Sequence, residues 1–250
     1  MQPNHIEALL EVADDSLVLG QRLCEWCGHA PTIEVDLSLS NLALDLIGQA
    51  TLLLDYAGER EGQGRDADRL AFHRDAEAFR NSMLVEQPNG DFARTVMRHF
   101  LFAAYANPLF EALTSSPDAR LAEIAAKSIK ELRYHLEYAT DWLERLGQGT
   151  EESHRRVAEA YDWHWRFVDD LFFDSEAWKS GAESGLWPLR AQLRPAFDET
   201  LNAGLARAGL AEPKPVWPIV GGRLGKHSEH LSSLLATMQV LPRAHPEATW

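Results

Sequence analysis

At 250 residues, 45% of them hydrophobic and 25% charged, the chain is long enough for one large soluble domain with a substantial core, or for two small ones. Its net charge of −14 argues against nucleic-acid binding, which needs a basic footprint, and disfavours docking of a polyanionic ligand on this chain alone. The N-terminal stretch MQPNHIEALLEVADD is acidic and amphipathic rather than basic and then apolar, and the least charged run, Leu37 to Leu54, is interrupted by polar residues; the expectation is a cytoplasmic protein with no membrane span.

A first helix is expected from about Asn4 to Cys27, with Leu10, Ala13, Leu17, Gly20, Cys24 and Cys27 along one face and a stop at Gly28 and Pro31. Cys24-Glu25-Trp26-Cys27 has C-x-x-C form. Two cysteines cannot make a four-cysteine zinc site, and no strand precedes them as a thioredoxin-like motif requires, so a buried structural pair is the simpler reading.

The second helix, about Glu34 to Gly58, is the most apolar in the chain, yet Ser38, Asn41, Asp45 and Gln49 draw a polar stripe along it. Buried polar groups need partners, so the stripe should face other polar side chains or a ligand. An internal hydrogen-bond network is favoured over a metal edge. A metal-binding helix of a di-iron bundle offers Glu or His three apart, whereas Asp45 is followed by Gly48, and Leu46 by Gln49. A crossover follows, with a shorter helix over about 67–84 and a turn at Gln87-Pro88-Asn89-Gly90. The third long helix, about Asp91 to Leu113, carries no Asp or Glu between Phe92 and Phe110.

The fourth, Asp118 to Leu146, has Leu121, Ile124, Ala125, Ile129, Leu132, Leu136, Ala139, Leu143 and Leu146 at steps of three or four, so one face is apolar. Ser116 and Pro117 are the expected start, Gly147 the stop, and Arg133–Glu137 a supporting pair on the charged face. At its centre lies Lys130-Glu131-Leu132-Arg133-Tyr134-His135. A di-iron bundle carries Glu-x-x-His on such a helix, because residues three apart project together. Three residues before His135 stands Leu132, so the histidine lacks its carboxylate.

Two helices, a long crossover and two more helices make an all-α, ferritin-like four-helix bundle over about residues 4–146, with additional C-terminal helices packed on it over about 150–250, as one domain. In that second part Glu151-Glu152-Ser153-His154 has the Glu-x-x-His form but opens a helix behind Thr150, where acids complement the helix dipole; it reads as capping. His227-Ser228-Glu229-His230 reads as a cluster at a helix start, Asp169, Asp170, Asp174 and Glu176 as a solvated helix end, and the aromatic run from Tyr161 to Phe173 as core or subunit interface.

Taken together, the chain resembles the structural-subunit family of the bacterial multicomponent phenylacetyl-CoA epoxidases. The likeness is carried by Gly20-Gln21-Arg22-Leu23, Glu25-Trp26-Cys27-Gly28-His29-Ala30-Pro31, Leu44-Asp45-Leu46-Ile47-Gly48-Gln49-Ala50 and Leu84-Val85-Glu86-Gln87-Pro88-Asn89-Gly90. It continues through Lys130-Glu131, Tyr134-His135, Trp142-Leu143-Glu144-Arg145-Leu146-Gly147 and His227 with Glu229-His230-Leu231. The resemblance implies a ferritin-like fold and a place in an oxygenase that converts phenylacetyl-CoA to its ring epoxide. The family's catalytic sister has D-E-x-x-H and K-E-E-x-x-H. Against these stand Asp45-Leu46-Ile47-Gly48-Gln49 and Lys130-Glu131-Leu132-Arg133-Tyr134-His135, with leucine for both motif glutamates and Gln49 for one histidine.

The resemblance therefore implies a non-catalytic subunit with no metal or other cofactor, holding a catalytic di-iron subunit that a reductase serves. Asp45, Leu46, Gln49, Glu131, Leu132 and His135 are the degenerate metal-site positions, expected to form a structural polar network. Self-association is left open, as are two other readings: a di-iron oxygenase with an unusual ligand set, and a free-standing helical binding module.

Overall fold

A computed structural model describes residues 3–248; Met1, Gln2, Thr249 and Trp250, included in the single-domain reading, lie outside them. The fold class is all-α, with no strand among the described residues. The ten α-helices found there are α1 (Pro3–Cys24), α2 (Ile33–Glu61), α3 (Ala67–Phe72), α4 (Phe92–Leu113), α5 (Ala119–Gly147), α6 (Glu151–Trp165), α7 (Val168–Leu171), α8 (Glu176–Glu183), α9 (Arg194–Ala208) and α10 (Glu229–Ala244). Two long pairs, α1–α2 and α4–α5, joined by a crossover, give the expected ferritin-like connectivity.

The helix starts follow side-chain chemistry. Thr32, Asp91, Asp118 and Thr150 each accept a hydrogen bond from the backbone N–H three residues on, closing the first turns of α2, α4, α5 and α6. For α5 the cap is Asp118 rather than Ser116, whose hydroxyl instead accepts from the Asp118 N–H at 3.3 Å. Nor is Gly147 the stop; it lies in the last helical turn, where a Cβ would run into the Ala208 backbone of α9.

The described residues form two compact units. Of these residues the first takes in 3–88, Ser175–Gly181 and 221–248. Here α1 and α2 pack along their length through Leu9, Val12, Leu19 and Leu23 on one side and Leu39, Leu42, Leu46 and Leu53 on the other, all buried. Cys24 and Cys27 are exposed rather than part of that core, because α1 ends at Cys24.

The expected helix over 67–84 is not formed: α3 stops at Phe72, and a single 3-10 turn, Ala76–Ala78, is all that follows. The reason lies on α1, where Asp14 and Asp15 are buried. Asp14 accepts from the Arg80 N–H at 2.8 Å and from Arg74 Nη1 at 3.0 Å; Asp15 accepts from the Ser82 N–H at 2.7 Å and from Arg223 Nη2 at 2.7 Å. Backbone donors that a helix would direct to its own carbonyls go to these carboxylates instead.

The second unit comprises Asn89–Asp174 and Ala182–Val220. In it α4, almost wholly buried, packs on α5, α6 and α9. Arg133 pairs with Glu111 of α4 at 2.7 Å rather than with Glu137. Most of the aromatic run makes ring contacts inside the unit. Tyr161 meets Trp165, Trp163 meets Phe167, and Phe172 meets both Tyr105 and Phe197, all edge to face. Of the acidic group, Asp169 and Glu176 are exposed as expected, whereas Asp170 is fully buried and Asp174 accepts from the Arg190 N–H at 2.9 Å.

Candidate functional site: the degenerate metal motifs

On α2, Leu46 and Gln49 face the packed side and are 0% and 2% exposed, while Asp45 is half-buried and engaged. The Gln49 amide donates to Ser16 Oγ of α1 at 2.8 Å, and that hydroxyl donates to the Val12 carbonyl at 3.2 Å. Gln49 is thus held as a structural donor. The rest of the polar stripe departs from expectation: Asn41 is exposed, and the Ser38 hydroxyl donates back to the Glu34 carbonyl at 2.7 Å. The helix rotates these two positions towards solvent, where they need no internal partner.

On α5, Leu132 and His135 are 0% and 1% exposed, and Glu131 is half-buried and engaged. The Leu132 carbonyl accepts from Asn107 Nδ2 of α4 at 2.9 Å. The His135 ring lies against the ring of His99, with centroids 5.1 Å apart. Neither ring nitrogen of His99 hydrogen-bonds within the protein. Burial, then the neighbouring His135, then Arg98 hold His99 well below the ordinary imidazole range, so it is neutral at pH 7. Arg98 is itself fully buried and donates to Asn89 Oδ1 at 2.6 Å.

A carboxylate-bridged di-iron centre needs acids on its helices to neutralise the metal charge. Leu46 and Leu132 are buried leucines, the Gln49 amide is committed to Ser16, and α4 places a cation beside a neutral imidazole. These residues do not fit that centre. Among the described residues, no three His, Cys, Asp or Glu side chains are grouped to hold a metal ion. The Glu-x-x-His at Glu151 to His154 is a capping element: Thr150 and Ser153 form a capping box, Glu152 pairs with Arg155 and Arg156, and His154 Nδ1 lies 2.7 Å from the Gly147 carbonyl.

Several buried polar residues do not emerge from the motifs alone. Arg98 and His99 carry a signal in hindsight: α4 is apolar on every side, so polar residues at its centre have no solvent face to turn to. His164 of α6 is buried, with Nδ1 2.8 Å from the Ala160 carbonyl, and burial followed by the nearby charge of Arg98 lowers it to about 3. In the first unit Glu86, fully buried, accepts from His227 Nδ1 at 2.7 Å, the Ser228 N–H at 2.6 Å and Asn81 Nδ2 at 3.0 Å. Burial alone would push His227 down, but the hydrogen bond and charge of Glu86 outweigh it and raise the imidazole. The start of α10 is thus anchored, through His227, to a carboxylate 141 residues earlier in the chain.

Across residues 1–250 the sequence matches the family described as phenylacetic acid catabolic protein. It is also similar to the subunit lettered C of the 1,2-phenylacetyl-CoA epoxidase of Escherichia coli (strain K12), with 46% identity over 241 residues, covering 96% of this chain and 97% of that relative.

Proposed function

Because the chain belongs to the phenylacetic acid catabolic protein family, we propose that it serves phenylacetate breakdown as the non-catalytic, structural subunit of a phenylacetyl-CoA ring epoxidase. In this reading it holds a separate di-iron subunit in its working form. Oxygen and substrate chemistry, and the electrons from a reductase, belong to that partner. The observation that carries the reading is the substitution at both motif glutamates by Leu46 and Leu132, each completely buried.

Burial of a leucine side chain is worth roughly 1.5–3 kcal/mol, whereas an unpaired carboxylate at the same depth would cost several. The positions therefore favour a closed apolar interior over a metal centre. His99 against His135 supports the same reading, since imidazoles supply no negative charge to balance a pair of divalent ions. The test is coexpression with the catalytic partner, followed by gel filtration and an epoxidation assay with phenylacetyl-CoA. Coelution, with an activity that the partner alone does not sustain, is the expected result. A catalytic partner equally folded and active without this chain would refute the scaffold role.

A further inference from the structure

Helix α2 buries one apolar face within the chain and leaves large apolar side chains, set among polar ones, on the other. In its most apolar 18-residue window 44% of the residues are buried. On the opposite side Ile33, Leu37 and Leu44 are 72%, 60% and 65% exposed. Leu37, Asn41, Leu44, Gly48 and Thr51 follow one another at steps of four, three, four and three, the spacing of a seam between packed helices, over about 21 Å of helix. Large apolar side chains left in solvent along one side of a long helix mark a contact surface.

Gly48 makes the second, independent observation. It sits in the middle of a 29-residue helix, it is exposed, and a Cβ there would meet nothing within 4 Å. Glycine inside a helix is less stable than alanine, and nothing in this chain's packing requires it at this position. A glycine on a packing seam lets a second backbone approach closely.

From these features we propose that the exposed face of α2 is the docking surface for a helix of a different subunit, one whose contact face is apolar and flanked by Lys or Arg. The charge pattern selects this occupant. From Ile33 to Glu59 the helix holds Glu34, Asp36, Asp45, Asp55 and Glu59 and no Lys or Arg. A second copy laid symmetrically on the same face would bring acids against acids. A membrane surface is disfavoured for the same reason, since helices that lie on bilayers carry basic residues on their polar side. The proposal rests on the reading of the chain as part of an oxygenase assembly and says which surface that assembly uses.

The experiment uses the full chain, coexpressed with the catalytic partner. Three proteins are compared: wild type, the pair Leu37→Glu/Leu44→Glu, and Gly48→Ala. The leucine pair should weaken association about 100-fold, with an unchanged circular dichroism spectrum. Gly48→Ala should raise the melting temperature of the isolated chain by about 2 °C and yet weaken the complex, a combination that misfolding cannot produce. In the wild-type complex, amide exchange over 33–51 should slow.

If wild type binds and the variants bind equally well, or if binding responds instead to Trp217→Glu, 92% exposed in the second unit, the surface is wrong and the subunit reading survives. If wild type and the catalytic partner do not associate at all, the subunit reading fails and this inference with it. Self-association, or binding to phosphatidylcholine vesicles, that is lost in the leucine pair would assign the face to a second copy or to lipid and overturn the proposal.

Discussion

Asp15 and Arg223 form an ion pair with side chains 4% and 0% exposed, and both also bind backbone groups of the crossover. Breaking such a pair from one side leaves a buried charge without its counter-ion, at a cost of about 3–5 kcal/mol. Arg223→Met should therefore lower unfolding free energy by that amount in urea titration, and Asp15→Asn/Arg223→Met should recover a substantial part of it. A loss below about 1 kcal/mol for the single variant, the value of an exposed pair, would contradict this expectation.

Among the buried histidines the sign of the pH effect differs. His164 is held at about 3 in the folded protein against an ordinary 6.5. The unfolded chain therefore binds more protons below pH 6.5; stability is complete above that value and falls as pH drops towards 3. His164 alone accounts for about 2 kcal/mol between pH 7 and pH 5, and His164→Gln should remove that share of the slope in urea titrations at the two pH values. His227, raised by Glu86, acts oppositely: its contribution is complete below 6.5 and is lost as pH rises through its folded value.

For whole elements, the glycines separate two kinds of helix contact. Gly204 of α9 lies against Phe100 of α4, whose ring occupies the space a Cβ would need. Gly204→Ala should destabilise by about 1–3 kcal/mol despite alanine's better helix propensity, the reverse of the gain expected at Gly48. Asp118→Ala should cost about 1 kcal/mol through loss of the α5 cap. Thermal unfolding of the two variants checks both.

The four long helices are legible in the sequence because their apolar residues recur at three and four, and periodicity reports a local property. Leu46, Gln49 and Leu132 are legible as substitutions because a ligand motif is a fixed spacing on one helix. The crossover is not legible in the same way: its backbone donors are claimed by Asp14 and Asp15, some sixty residues earlier, and no window around 67–84 contains that information. His99 beside His135 is likewise a contact between helices, invisible to either helix alone.

The whole molecule is a helical protein of the phenylacetic acid catabolic family, proposed here to carry no metal site of its own. Leu46 and Leu132 are completely buried, Gln49 is tied to Ser16, and His135 rests on His99. The most direct measurement is iron content per chain, determined on this protein after iron-supplemented expression, alone and after separation from its catalytic partner. A structural role predicts far less than one iron per chain, unchanged in His135→Ala. About two irons per chain, lost in His135→Ala, would contradict it and make this chain a di-iron oxygenase in its own right.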